Sequence, residues 1–307
     1  MCPIATSLLS KNTSRPVKNL RKGDFIISED GVTQEITHFS QDALPLSVLL
    51  LVDKSGSIGG VRERIAAAVE ESVKHLKPED KVALMAFDSA AWLVEGFTTD
   101  KHVIAARIRI REDGMWDTPP APGWSAETPF DGTRIADSIF QAAEYLRKSA
   151  DQTSRRAIIV ITDNWADARG ARYSHSEVTN ELLESGAVVY GLKVSRSLLD
   201  ETATAIDTYA NVLRLFNRNR RNVTPYAKLT GGVVLEAGKD DVTAKLAEIL
   251  NLLRQRYSFG YVSSNSKMDG KYRKLRVRVT SEVERREGGV TILTRQGYYA
   301  RRPEQAK

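Results

Sequence analysis

The chain has 307 residues, 41% of them hydrophobic and 27% charged, with a formal net charge of +6. This composition is typical of a folded globular protein and excludes a collagen-like or disordered chain. No apolar run reaches the roughly 20 residues that a membrane-spanning helix needs. We therefore expect one large domain with a smaller one, and no membrane segment in this chain.

Neither the N-terminus nor the basic residues identify a compartment or a nucleic-acid partner. The first residues lack the basic region and the apolar core of a signal peptide. Cys2 is the only cysteine, so an intrachain disulfide is excluded. The densest basic run lies in a predicted helical insertion at 197–222, without the pattern of a known nucleic-acid-binding fold. We expect a solvated insertion and no nucleic-acid partner, and the localisation stays open.

The N-terminal residues 1–42 form a predicted β segment. Strands at 24–28 and 34–39 flank Asp30-Gly31, which is a hairpin signal because glycine accepts positive φ. Two strands alone do not make a stable domain. The segment must therefore pair with strands from elsewhere in the chain.

A short apolar run at 46–52 is the first strand of the main domain, and its composition predicts burial on both faces. The run stops at Asp53, and Ser55 and Ser57 follow at alternate positions. A carboxylate and two hydroxyls at the end of a buried strand are oxygen ligands, which suit a hard divalent cation.

Strands and helices then alternate as far as residue 256, which predicts a doubly wound, mostly parallel six-stranded sheet with helices on both faces. The third strand follows the second so closely that only a hairpin can join them, so it is antiparallel. In the doubly wound order the first and fourth strands are neighbours, and Asp53 and Asp163 stand at their carboxyl ends. The predicted strands after the first are 82–87, 92–97, 157–162, 187–194 and 233–236.

Several helix signals accompany these strands. An irregular, proline-rich loop at 112–130 leads to Thr133, at the start of a helical pattern. Ser174 and Glu177 form a capping box, and Asp240 is the predicted cap of the last helix of the sheet domain. The predicted helices lie at 61–76, 98–110, 135–146, 174–183 and 240–253.

The last part of the chain returns to strands, at 257–262, 274–280 and 290–294. Three strands here and two at the N-terminus are each too few to stand alone. We expect them to combine into a small, five-stranded all-β domain built from both chain ends. The predicted organisation is therefore a β segment at 1–42, the α/β domain at 43–256 and a completing β segment at 257–307.

The D-x-S-x-S pattern of Asp53, Ser55 and Ser57, followed in order by Thr133 and Asp163, resembles the metal-ion-dependent adhesion site (MIDAS) of von Willebrand factor A (VWA) domains. The resemblance implies that the two serines and the threonine coordinate Mg²⁺ or Mn²⁺, while the aspartates act largely through water. It also implies that a carboxylate of a protein partner fills the remaining position. The function implied is a metal-dependent protein-binding module and not an enzyme.

The flanks of the main domain resemble a bacterial "VWFA-related" group of VWA proteins, through L-R-K-G-D-F-I-I-S-E-D-G before the core and Y-S-F-G-Y-V after it. Members of that group usually begin earlier and are often exported. One departure from the VWA pattern is Asn164, where the family often has glycine after the aspartate. Asparagine tolerates left-handed backbone angles best after glycine, so the turn survives.

The alternative is a metal-assisted phosphohydrolase or another hydrolase. A haloacid-dehalogenase-like site needs a second carboxylate two residues after the first, and Ser55 occupies that position. No P-loop, dinucleotide fingerprint or H-E-x-x-H spacing is present. A panel of phosphate and ester substrates with Mg²⁺ separates the two hypotheses.

Three tryptophans lie near the predicted metal site in sequence. Trp165 stands two residues after Asp163, and Trp116 and Trp124 lie in the loop that leads to Thr133. Tryptophan is favoured at interface hot spots. We therefore predict an aromatic rim around the metal, and a partner whose carboxylate is flanked by apolar or aromatic groups.

Overall fold

The computed structural model describes residues 2–41, 44–55, 58, 61–110, 116–117, 120–122, 133–151, 153–164, 166, 171–194, 222–238 and 240–300. Several predicted features fall outside these residues: Ser57, Trp124, Trp165, most of the proline-rich loop at 112–130 and nearly all of the basic insertion at 197–222. Trp116 is described by its backbone alone.

The strands and helices are numbered here in chain order. The N-terminal strands are β1 Cys2–Ser10, β2 Phe25–Glu29, β3 Val32–Gln34 and β4 Ile36–Gln41. The middle elements are β5 Leu46–Asp53, α1 Arg62–Lys74, β6 Lys81–Phe87, β7 Ala91–Thr98, α2 Lys101–Arg107, β8 Arg109–Ile110, β9 Trp116–Asp117, α3 Ile135–Ser149, β10 Arg155–Thr162, α4 His175–Ser185, β11 Val188–Val194, α5 Thr224–Thr230, β12 Val234–Ala237 and α6 Val242–Arg254. The last elements are β13 Tyr257–Tyr261, β14 Tyr272–Val279, α7 Ser281–Arg286, β15 Val290–Thr294 and β16 Gly297–Tyr299.

A six-stranded sheet lies at the centre of the fold, in the order β12-β11-β10-β5-β6-β7. Neighbouring strands are parallel except for β6 and β7, which pair antiparallel as predicted. The predicted doubly wound order is therefore confirmed, and β5 and β10 are neighbours at its centre. Their carboxyl ends meet at one edge of the sheet, where Asp53 ends β5 and Asp163 follows β10.

Helices cover both faces of this sheet because successive residues of the buried strands point in opposite directions. In β5, Val48 and Leu50 pack into a core with α1, α2 and α6, whereas Leu49 and Leu51 pack into a second core with α3, α4 and α5. Every residue of β5 is buried, which explains why the strand is apolar except for Ser47 and the terminal Asp53. None of the helices in the described ranges is long and apolar enough to cross a bilayer.

The two chain ends build two further sheets together, as predicted. The orders are β15-β1-β13-β4 and β16-β14-β2-β3, and every neighbouring pair is antiparallel. A third core lies between them, with Ile27, Phe259 and Val277 among its members. The expected turn at Asp30-Gly31 is also present, because both residues have positive φ, 48° and 89°.

The end strands number eight in the described residues, and not five as the sequence predicted. The sequence did not indicate β1, because it contains Pro3 and several small polar residues with low strand propensity. Pairing with β13 on one side and β15 on the other forms this strand, and Ile4 and Leu8 pack into the third core. The strands β3 and β16 have three residues each, too few to show a period.

One predicted helix cap is wrong. The sequence indicated Asp240 as the cap of α6, but the helix begins at Val242 after Asp241, which makes no side-chain capping bond. The capping box of Ser174 and Glu177 is confirmed at the start of α4.

A buried carboxylate joins the two end sheets. Glu29 in β2 is 2% exposed and accepts hydrogen bonds from Tyr261 (2.6 Å), Ser263 (2.6 Å) and Tyr298 (2.8 Å). Burial acts to raise the pKa of Glu29, but the three hydroxyls and the positive charge of Arg273 together outweigh it, and the pKa lies below its ordinary value. The ionised form is therefore the one that the fold stabilises.

We predict that Glu29→Gln lowers the free energy of unfolding by about 1–3 kcal/mol at pH 7, because an amide cannot accept all three hydroxyls. A depressed carboxylate pKa contributes stability that is lost as pH falls, so the difference between variant and parent should shrink at acid pH. Urea unfolding between pH 7 and pH 4 measures both effects. Glu35→Gln, at an exposed position of the same segment, is the matched control; equal effects from both variants would show that the Glu29 network is not stabilising.

Candidate metal centre

The predicted site is centred on Asp53, the last residue of β5. Its side chain is 0% exposed, and both carboxylate oxygens accept hydrogen bonds. Oδ1 accepts from the Ser55 backbone N–H at 2.8 Å, and Oδ2 accepts from the Thr162 hydroxyl at 2.6 Å. Thr162 is the last residue of the neighbouring strand β10. The pairing of the two strands therefore fixes the orientation of this carboxylate.

Burial, with a smaller contribution from the nearby charge of Asp163, raises the pKa of Asp53 to about 6. Hydrogen bonds from Thr162 and Ser55 oppose this shift without cancelling it. A carboxylate in this environment favours a proton or a cation beside it. The environment of Asp53 therefore fits a bound divalent cation.

Asp163 begins the loop after β10 and is 8% exposed. The next residue, Asn164, has φ of 63°, so the departure from glycine is accommodated in the left-handed region as expected. Its N–H donates to the Thr162 hydroxyl at 3.0 Å, and its Oδ1 accepts from the Val223 N–H at 3.0 Å. The asparagine side chain thus joins the Asp163 loop to the segment before α5, a contact that glycine cannot make.

Thr133 lies two residues before α3 and is 5% exposed. The adjacent Arg134 N–H donates to the Asp88 carbonyl at 2.8 Å, just beyond β6. The preceding residue, Phe87, ends β6, and its carbonyl accepts from the Lys54 N–H at 2.7 Å. These bonds attach the segment before α3 and the residue after Asp53 to the carboxyl end of β6. The structure thus brings Thr133 to the sheet edge that carries Asp53 and Asp163.

A further residue, Asp137, was not singled out from the sequence. It lies in the first turn of α3, is 4% exposed and accepts hydrogen bonds from the backbone N–H groups of Arg172 (2.8 Å) and Tyr173 (3.2 Å). It therefore holds the far end of the Asp163 loop against the helix that follows Thr133. The available signal was an acidic residue among the apolar positions of that helix, but its loop partners emerge only in the fold.

The fourth tryptophan, Trp92, contributes to this edge of the sheet. Its ring is 1% exposed, and the Lys54 ammonium lies 5.1 Å from the ring centroid. This distance allows a cation–π interaction that places the lysine beside the metal-loop backbone. The backbone of Trp116 forms β9 and pairs with Ile110 of β8. The aromatic rim of Trp116, Trp124 and Trp165 stays a prediction, because none of the three side chains is described.

The predicted donor set contains hydroxyls and two carboxylates. Within the described residues, no group of three or more His, Cys, Asp or Glu side chains is arranged to hold a metal ion. A site of the predicted kind needs no such group, because in the prediction the hydroxyl oxygens of Ser55 and Thr133 join the two carboxylates as oxygen donors. Oxygen donors of this type suit Mg²⁺ and Mn²⁺ and are poor ligands for softer metals.

One known family model matches the central segment of the chain. Residues 48–166 match the family model of the von Willebrand factor type A domain. The matched span runs from β5 to the loop after β10 and contains all five predicted metal-site residues. Domains of this family often mediate protein interactions. No curated protein matches the chain.

Several solved structures are similar to this one. The conserved hypothetical protein BatB from Bacteroides thetaiotaomicron is 17% identical, with 67% of this chain and 98% of that chain covered and a TM-score of 0.46. An aerotolerance-related membrane protein from Bacteroides fragilis is 18% identical, with 68% and 98% covered and a TM-score of 0.45. Proximal thread matrix protein 1 from the mussel byssus, with zinc occupying its MIDAS motif, is 13% identical, with 69% and 48% covered and a TM-score of 0.45.

The raised pKa of Asp53 predicts a specific pH dependence of the metal-free protein. The folded state binds the Asp53 proton more tightly than the unfolded state, so this group's contribution to stability is fully present below about pH 4 and is lost as pH rises through about 6. Asp53→Asn lacks this titration. The stability of the variant relative to the parent should therefore rise by about 2 kcal/mol from pH 4 to pH 7.

Urea unfolding in EDTA across this pH range measures the difference. Asp240→Asn, at an exposed position, is the control and should show no such trend. A variant-minus-parent difference that is constant from pH 4 to pH 7 would show that the Asp53 carboxyl has an ordinary pKa.

Proposed function

We propose that this protein is a metal-ion-dependent protein-binding module. In the proposed site, Ser55, Ser57 and Thr133 coordinate Mg²⁺ or Mn²⁺ directly, and Asp53 and Asp163 act largely through bound water. The bound ion supplies an exchangeable position at which an acidic side chain of a protein partner can bind. The partner's carboxylate then provides the negative charge that the neutral hydroxyl ligands lack.

The observation that carries the proposal is the burial of Asp53 beside Asp163. Two neighbouring carboxylates, one fully buried and the other 8% exposed, repel each other when both are ionised. A divalent cation between the two strand ends removes this cost, whereas a site built only for folding would replace one carboxylate with an amide. The family match over residues 48–166 and the protein interactions typical of that family support the same reading.

Neighbouring residues hold the proposed metal-binding side chains in position. The Thr162 hydroxyl and the Ser55 N–H fix both Asp53 oxygens, while Asn164 and Asp137 hold the two ends of the Asp163 loop. A site that is fixed before binding loses little entropy when the partner arrives. This arrangement suits reversible capture of a carboxylate.

The tryptophans extend the proposal to the partner's chemistry. Trp116, Trp124 and Trp165 are proposed to form a rim that contacts apolar or aromatic groups beside the partner's carboxylate. Their closeness in sequence to Thr133 and Asp163 supports this extension. A metal-assisted hydrolase stays the alternative that the experiments below also test.

Metal binding is predicted to depend on the loop hydroxyls. The double variant Ser55→Ala, Ser57→Ala should weaken Mg²⁺ binding, measured by isothermal titration calorimetry, by at least about 10- to 100-fold, the usual effect of losing even an outer-shell partner. Ser281→Ala, at an exposed position in α7, is the matched control. Circular dichroism should show both proteins folded. Unchanged Mg²⁺ affinity in the folded double variant would remove these serines from the site.

Partner capture is predicted to need both the ion and a carboxylate. In a peptide array, peptides with Asp or Glu beside aromatic residues should bind in Mg²⁺ but not in EDTA, and their Asn and Gln analogues should not bind. Asp163→Ala should abolish this binding while changing the melting temperature in EDTA little, because the residue lies at a strand end. Trp124→Ala should weaken binding of the peptides with aromatic flanks only.

An assay of the same purified protein distinguishes the binding module from a metal-assisted hydrolase. Mg²⁺-dependent turnover of phosphate or carboxylic esters that Asp53→Asn abolishes would establish an enzyme and overturn the binding module. Equal binding of the acidic peptides and their amides would show that the ion does not capture a carboxylate.

A further inference from the structure

The outer face of β14 carries a row of cations. Successive residues of the strand point to opposite faces, and Leu275 and Val277 pack into the third core. The alternate residues are exposed to solvent: Tyr272, Lys274, Arg276 and Arg278. Alternate residues of a strand lie about 6.8 Å apart, so the three cations form a regular row about 14 Å long. We call these three cations, on the outer face of the sheet β16-β14-β2-β3, the basic row.

The basic row has little counter-charge beside it. Its partners across the neighbouring strands are Gly297, Ser28 and Ile26, which are all neutral. One carboxylate lies close by: that of Asp30, in the turn after β2, accepts a hydrogen bond from the Lys274 backbone N–H at 2.8 Å. In the described part of the chain, the three cationic side chains of the row make no ion pair or hydrogen bond. The row is therefore available to an anionic partner.

The positive charge of the chain is concentrated in the two end sheets. Residues 2–41 and 257–300, which contain these sheets, have 14 Lys and Arg against eight Asp and Glu, a net charge of +6. The formal net charge of the entire chain is also +6, so the remaining residues are neutral in sum. Folded surfaces usually mix the two signs, because like charges side by side on a sheet repel each other. A bound polyanion would remove this repulsion.

An aromatic ring stands at one end of the basic row. Tyr272 is 38% exposed, and its ring meets that of Tyr299 edge-on with the centroids 5.4 Å apart. The phenol end lies across Gly297, where a Cβ would overlap it. Glycine therefore leaves room for the ring, which is held against the sheet with part of its surface exposed. An apolar or aromatic group of a partner can pack there beside the cations.

These features favour an extended acidic peptide segment over other polyanions. A bilayer attracts a broad cluster of basic residues, and a nucleic-acid strand needs aromatic rings on which successive bases stack. The basic row is one strand wide, and β14 has its aromatic ring at one end only. An extended peptide matches this row, because its own side chains repeat on one face at the same spacing of about 6.8 Å.

We propose that the basic row binds an extended acidic segment of a protein partner. Carboxylates at alternate positions of the segment pair with Lys274, Arg276 and Arg278, and an aromatic side chain of the segment packs against Tyr272. This surface shares no residue with the candidate metal centre and needs no metal ion. The contact therefore goes beyond the proposed metal-dependent capture of a single carboxylate.

Fluorescence anisotropy of labelled, end-capped peptides with the full chain tests the proposal in EDTA and at low ionic strength. The peptide F-S-E-S-E-S-E-S-F should bind, and added salt should weaken the binding because exposed charges are screened. The analogue with three Gln in place of Glu should bind at least about tenfold more weakly, because it lacks all three ion pairs. The peptide F-S-S-E-E-E-S-S-F has the same composition but puts adjacent carboxylates on opposite faces, so it should also bind more weakly.

Three outcomes would overturn the proposal. No binding of the first peptide would show that the cations are merely solvated, and equal binding of its Gln analogue would show that no carboxylate is recognised. Tighter binding of a thymidine tetranucleotide, which carries the same three charges, or of phosphatidylserine vesicles would assign the face to a nucleic acid or to a membrane.

Variants locate the peptide on the basic row. A triple variant that replaces its three cations should weaken binding at least about tenfold: Lys274→Gln, Arg276→Gln, Arg278→Gln. A matched triple variant removes the same charge from exposed positions elsewhere and should weaken binding far less: Lys18→Gln, Lys77→Gln, Lys228→Gln. Equal losses in the two variants, both folded by circular dichroism, would show long-range attraction only and refute the docking surface.

The aromatic contact has its own test. Tyr272→Ala should weaken binding of the peptide with Phe ends and leave that of the peptide with Ser ends unchanged, whereas Tyr272→Phe should keep both. Equal weakening of the two peptides by Tyr272→Ala would remove the ring from the docking surface.

Discussion

A single buried carboxylate imposes the strongest constraint on this structure. Asp53 ends the central strand with its side chain fully enclosed, and an isolated buried carboxylate is costly unless it is hydrogen-bonded or paired with a cation. The surrounding hydrogen bonds offset part of this cost: Thr162 from the adjacent strand and Ser55 from the loop donate to it. The remaining cost appears as the raised pKa, and it is the free energy that a bound cation would recover.

A second constraint is how the chain ends pack against the central domain. Gly231, at the end of α5, has φ of 81°, and a Cβ there would lie 2.4 Å from the Thr294 carbonyl carbon of β15. Only glycine permits both this backbone conformation and this close approach. Because β1 lies between β13 and β15, the N-terminal residues are integral to the sheet that makes this contact. The close contact at Gly231 therefore joins the sheet built from the two chain ends to the end of α5.

The sequence predicted much of the central sheet because its signals are local. The apolar run before Asp53 and the hairpin spacing of β6 and β7 each follow from short-range chemistry, and the doubly wound order then placed Asp53 beside Asp163. The prediction missed β1, since a strand containing Pro3 forms there only through its two neighbours. The helix cap predicted at Asp240 is wrong by one residue, which is the ordinary uncertainty of helix boundaries.

The residues that support the candidate site were harder to predict from the sequence, because their roles also depend on contacts between distant segments. Asp137 holds a loop 35 residues away, and an acidic residue in the first turn of a helix usually has a local explanation in the helix dipole. Likewise, nothing in the sequence around Arg256, the residue before β13, indicates that its side chain is buried. Long-range hydrogen bonds that decide such roles become visible only when the strands are paired.

Strand β10 makes polar contacts at both of its ends. Its last residue, Thr162, supports Asp53, while its first, Arg155, donates to the Leu253 carbonyl near the end of α6. Eight residues of extended chain separate these ends by roughly 23 Å, and the strand's core residues are packed on both faces. The position of the Thr162 hydroxyl beside Asp53 therefore depends on the packing of the whole strand between two layers of helices, and not on the loop after Asp53 alone.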